Sequence, residues 1–191
     1  MFGEDITAYL PEHIKPFSDQ LKQFPVGYEK WVYATSLPAD TYQRDVFVTV
    51  SFAIVDEEGD LARADRPGMV VSNTCDLQPE QARFILVVPV VDLKDYRENS
   101  ELEAEALENH IRALTENKIS QLMFLPEGGR LHSCFVDFGN ICSVSSRHFH
   151  SENRPIRFTK LESLSQCGHY FLLIKFAYHL SRPEAPEATR E

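Results

Sequence analysis

The run RFILVVPVV, residues 83–91, constrains the fold more than any other stretch of the chain. Every residue after Arg83 is apolar, so a strand here has two faces to cover and reads as central. Pro89 cannot donate to a ladder, which predicts a bulge or a strand end at that point. The flanking segments supply neighbours. RDVFVTVSFAIV (44–55) alternates, with Val46, Val48 and Val50 facing one way and Phe47, Thr49 and Ser51 the other. GMVVSN (68–73) reads as a second strand, reached through the acidic loop DEEGDLARAD (56–65). ISQLMFLP, a turn at EGG, LHSCFVDF, a tight turn at Gly139-Asn140 and ICSVS predict further hairpins. Short strands joined this way predict an α+β, mainly β chain built as a small antiparallel barrel.

Helical signals interrupt and close this pattern. Ser100 and Glu103 form a capping box before Leu107, Ile111 and Leu114, predicting a helical insertion over about 100–117. Thr159 and Glu162 form a second box, predicting a C-terminal helix over about 159–182 that Pro183 stops, with Gly168 a candidate break. Residues 1–40, punctuated by Pro11, Pro16, Pro25 and Pro38, read as an N-terminal arm on a body at 41–182. Trp31 and Tyr33 are expected to pack that arm down, an aromatic binding platform being the alternative. Residues 183–191 read as a frayed polar tail.

A chain of 191 residues with 43% hydrophobic side chains fits one domain. Its 19 basic and 29 acidic residues leave a net charge of −10, which opposes nonspecific binding to nucleic acid or to an anionic membrane. Cys75, Cys134, Cys142 and Cys167 form no CxxC pair, as expected of free thiols in a reducing cytoplasm. No signal peptide is visible, and FILVVPVV is far short of a membrane span. A cytoplasmic protein without a cofactor is the expectation.

Chemistry is most crowded where the second strand ends, at Ser72, Thr74, Cys75 and Asp76. Cys75 is a candidate nucleophile if a histidine or another cation approaches it; otherwise it is a small side chain before an Asp-led turn. Zinc would draw on Cys75, His132, Cys134, Cys142, His148 and His150, but no pair of close ligand pairs stands out, and buried cysteines with surface histidines are the expected reading. Glycine-rich phosphate loops are absent.

RDVFVTVSF, the long loop, RPGMVVSN, FILVVPVV and QLMFLPEGGRLHSCFVDFGNICSVSSRHF together resemble the PemK/MazF/Kid-like toxin family over about residues 44–150. The resemblance implies an SH3-like barrel, commonly homodimeric, many of whose members cut single-stranded RNA. Arg66 falls where the family places an arginine on the scissile phosphate, a role suited to a guanidinium. The family's catalytic hydroxyl would fall near Val91, which has none. Two readings follow from the resemblance. In one, Arg66 with Ser72, Thr74, Cys75 or Asp76 forms a divergent endoribonuclease site. In the other, the barrel has lost cleavage and binds a partner such as an antitoxin in a toxin–antitoxin, phage or defence system. A thiol- or zinc-dependent enzyme centred on Cys75 is a third reading. Convergence of Arg63, Arg66, Arg83, Arg130 and Arg147 on Cys75 and Asp76 would favour phosphate chemistry.

Overall fold

A computed structural model describes residues 31–55, 59–77, 81–149 and 158–180. Its strands are β1 (Asp45–Val55), β2 (Leu61–Val70), β3 (Phe84–Asp92), β4 (Leu122–Leu125), β5 (Cys134–Asp137), β6 (Cys142–Ser145) and β7 (Lys160–Ser163). Helices α1 (Leu93–Asn99) and α2 (Ala104–Thr115) follow β3, and α3 (Gln166–Leu180) follows β7. The sheet runs β4-β5-β3-β2-β1-β7, with β6 also paired to β3, and every pairing is antiparallel. The chain is therefore α+β and mainly β. Among the described residues no ladder joins β4 to β7, so the sheet is open rather than the closed barrel expected. Side chains bridge its two ends instead. The Arg130 N–H donates to Glu162 Oε2 at 3.0 Å, and the Tyr33 hydroxyl donates to the Pro126 carbonyl at 2.6 Å.

β3 is the central strand its composition predicts. Ile85 and Val87 enter one core cluster with Phe47, Val50, Phe52, Leu77, Phe149 and Phe158. Val88 and Val90 enter a second, with Val46, Met69, Val136, and Phe171 and Leu172 of α3. Full burial of such side chains contributes about 1.5–3 kcal/mol each. Only the start of β3 departs, since Phe84 and Leu86 are exposed. Pro89 neither ends β3 nor bulges it against β2, where it faces Gly68; the interruption falls on the other edge of the strand. β5 pairs with Val90–Asp92 and β6 with Phe84–Val87, and between them the chain leaves the ladder as a short 3-10 turn, Phe138–Asn140. Gly139-Asn140 therefore closes no hairpin: β5 and β6 follow one another along β3 instead of pairing together.

Other expectations are corrected by longer-range pairing. Phe47 faces Gly68 but Val50 faces Arg66, three steps along β1 against two along β2. That bulge resets the alternation, so Val50 joins Phe47 in one core while Val46 stays in another and Val48 is exposed. LARAD, expected as loop, is the first half of β2. Ser100 ends α1 and Glu103 precedes α2 without a side-chain cap, so the first capping box does not form. Leu107, Ile111 and Leu114 are nonetheless the buried face of α2. Residues of the second box lie at β7, where Val46 pairs with Glu162 and Phe47 with Lys160; α3 starts only at Gln166.

Gly168 does not break α3. It lies in the first turn, where a Cβ would run into the Val32 carbonyl oxygen. The described end of the arm is held by that contact: Val32 is fully buried, its carbonyl accepts from Ser165 N at 2.7 Å, and Ala34 N donates to Ser163 O at 2.9 Å. Val32 and Tyr33 do the packing, while Trp31 points outward. The earlier arm, the acidic loop tip, His150 and the tail lie outside the described residues.

Candidate anion-binding cleft

β2 pairs with β3 only from Gly68 to Val70, yet it continues along β1 back to Leu61. β3 meanwhile runs on to pair with β5. The two strands therefore part beyond the Gly68–Pro89 pair, next to Pro67, which has no N–H to offer a neighbour. A cleft of about 700 Å³ opens there. Asp65, Arg66 and Pro67 line it from β2, Val90, Val91 and Asp92 from β3, and Arg130, Leu131 and His132 from the segment between β4 and β5.

Helix α1 forms a further wall through Asp95, Tyr96 and Asn99. It exists because Asp92 is a good N-cap: its Oδ1 accepts from Lys94 N at 2.8 Å and from Asp95 N at 3.2 Å. Tyr96 fixes the helix to the sheet, its ring edge-on to Phe135 with centroids 5.3 Å apart.

Electrostatics give the cleft its character. Arg66 is half-buried and Arg130 exposed, and among the described residues neither guanidinium has a hydrogen bond or an ion pair. Two of the three lining carboxylates are engaged. Asp65 pairs with Arg63 at 3.1 Å, and Asp92 caps α1. The third, Asp95, is exposed on the wall. His132 is exposed, with Nδ1 4.0 Å from Glu127 Oε1. Cys134 also lines the cleft, but burial, and then the Asp92 charge, push its pKa up to about 12. It is a thiol at neutral pH and no nucleophile. The arrangement can hold an anion between two planar, five-donor groups.

Of the residues singled out in the sequence, Arg66, Val91, Arg130, His132 and Cys134 line this cleft. Thr74, Cys75 and Asp76 do not line it; they lie on a 3-10 turn, Thr74–Leu77, past the other end of β2. The polar groups of that corner mostly face backbone. Ser72 Oγ accepts from Leu86 N at 2.7 Å, Asn73 Oδ1 from Cys75 N at 3.0 Å, and Thr74 Oγ1 from Gln43 N at 3.3 Å. Gln43 Oε1 lies 3.1 Å from His169 Nε2, and burial, followed by the Arg44 charge, lowers the pKa of that imidazole. Buried Leu77 anchors the turn, and the Cys75 thiol is exposed.

The five arginines scatter. Arg66 and Arg130 share the cleft, Arg63 is bound to Asp65 and Ser51, Arg83 covers the Phe84 ring, and Arg147 lies on the turn after β6. Among the described residues no group of three or more His, Cys, Asp or Glu side chains could hold a metal ion. No helix among them is long and apolar enough to cross a membrane. Tyr96 and Asn99 were not foreseen as site residues; an N-cap aspartate ending a strand was the available signal. No protein-family model matches the chain, and no curated protein sequence matches it.

Proposed function

We propose that this chain is a divergent relative of the PemK/MazF type, built on an open antiparallel sheet, that binds an acidic segment of a partner protein without cutting RNA. One observation supports this above others: Arg66 and Val91 line one cleft. On the resemblance, this supports a cleft in which the family's arginine is kept while a valine stands at the position of its catalytic hydroxyl. With valine at the position of that hydroxyl, the guanidinium keeps its capacity to hold an anion and lacks the group the resembled family pairs with it for cleavage. The protein then acts in the cytoplasm, within a toxin–antitoxin, phage or defence type system, its partner antitoxin-like.

The test pairs a cleavage assay on single-stranded RNA with titration of a fluorescein-labelled decaglutamate peptide, on wild type and Arg66→Ala. The expected result is no cleavage by either protein and peptide binding that the substitution weakens. RNA cleavage abolished by Arg66→Ala would overturn this reading in favour of an endoribonuclease. His132 and Arg130 beside Arg66 are what favour that second reading.

A further inference from the structure

Arg130 lies at the turn after β4, on a segment with little regular structure of its own, yet its backbone is pinned. Its N–H donates at 3.0 Å to Oε2 of Glu162, a carboxylate on β7 that is only 5% exposed. The other oxygen, Oε1, accepts from Ser163 N at 3.0 Å. Among the described residues Glu162 has no cationic partner. A buried carboxylate satisfied by two backbone amides is a costly way to hold a turn, since burial of a charge is opposed unless hydrogen bonds compensate it. Gly129 makes the arrangement possible. Its φ is +58°, and a Cβ there would run into the Glu162 carboxylate. Carboxylate, glycine and amide thus interlock at the backbone of Arg130, a residue that lines the cleft.

We propose that Arg130 is a second anion-holding arm of the cleft, opposite Arg66, and that Glu162 is the residue that positions it. This rests on the reading of the cleft as a carboxylate-binding site. Arg66 comes from β2, and Arg130 is carried in from the far end of the sheet. The two guanidiniums take one acidic segment between them, so the cleft prefers ligands with neighbouring carboxylates to those with a single one.

The experiment titrates wild type, Arg66→Ala, Arg130→Ala, Glu162→Gln and Glu162→Ala with the labelled decaglutamate peptide at low and at physiological ionic strength. Loss of a charge-assisted contact weakens binding about ten- to a hundredfold, so Arg66→Ala and Arg130→Ala each lose that much. Glu162→Gln keeps one acceptor oxygen, which serves the Arg130 N–H at the expense of that of Ser163, and retains most of the affinity. Glu162→Ala matches Arg130→Ala, and in the Arg130→Ala background it causes no further loss, a coupling that a merely structural role would not produce. Should Glu162→Ala not fold, the comparison of Arg130→Ala with wild type and Glu162→Gln still decides. Weakening by Arg66→Ala but not by Arg130→Ala overturns this inference and leaves the cleft reading standing. Absence of peptide binding by wild type, or tighter binding of a labelled single-stranded RNA, removes both.

Discussion

Lys175 sits in α3 with 7% of its surface exposed and no carboxylate beside it among the described residues. Its ammonium donates to the carbonyls of Asn117, at 3.0 Å, and Ile119, at 2.7 Å, tying the helix to the segment after α2. Burial lowers its pKa from 10.5 to about 8. Below pH 8 the lysine is charged in both folded and unfolded chains, and the folded state bears the whole desolvation cost. At 1.36 kcal/mol per tenfold change in proton affinity, that cost is about 3 kcal/mol. As the pH rises from about 8 towards 10.5, the folded chain loses the proton while the unfolded chain keeps it, and the cost is relieved. By pH 9.5 the folded protein has recovered roughly 2 kcal/mol relative to neutral pH from this group. Urea unfolding followed by far-UV circular dichroism, at pH 7 and pH 9.5, on wild type and Lys175→Met isolates the effect, because other titrating groups are common to both proteins. The stability of wild type relative to the variant should rise by about 2 kcal/mol across that interval. Parallel pH profiles for the two proteins would refute the reasoning and place the amine in contact with solvent.

Asp45 is fully buried and holds Lys160 at 2.7 Å, Ser163 Oγ at 2.6 Å and the Tyr42 N–H at 2.8 Å. Removing one member of a buried pair strands the other, so Asp45→Ala should destabilise the fold by about 3–5 kcal/mol, read as a lowered urea midpoint. Arg66→Ala and Cys75→Ala should each stay within about 0.5 kcal/mol of wild type, because neither side chain is spent on packing or on an internal hydrogen bond. A collapse of either variant would show a structural role for it.

Strand identity was legible where composition forces a single answer. An apolar run such as 84–91 can only be central, and Leu107, Ile111 and Leu114 can only be one helical stripe. Partners of each strand were not legible, because they depend on residues far away in sequence. The alternation of β1 hides a bulge that only pairing with β2 reveals. Thr159 and Glu162 spell a helix cap locally, but the free edge of β1 and the buried Asp45 draw 160–163 into the sheet. Capping boxes are four-residue patterns, and tertiary pairing overrides them at little cost. Half of the candidate site could be read in the same way: Arg66 is marked by the proline beside it, whereas Glu162 acquires meaning only once β7 lies under the β4–β5 turn.

The contact between Asp45 and Ser163 spans 118 residues, and it sets a timetable for synthesis. At about 5–20 residues per second, a ribosome delivers the second partner on the order of ten seconds after the first. Until then the carboxylate that will be sealed at the start of β1 stays hydrated, and β1 keeps an unpaired edge where β7 will lie. A nascent chain stopped before residue 160 would thus present a bare strand to its neighbours, with no Glu162 to seat Arg130. Completion of the sheet and completion of the cleft are one event, and it waits for residues 160–163.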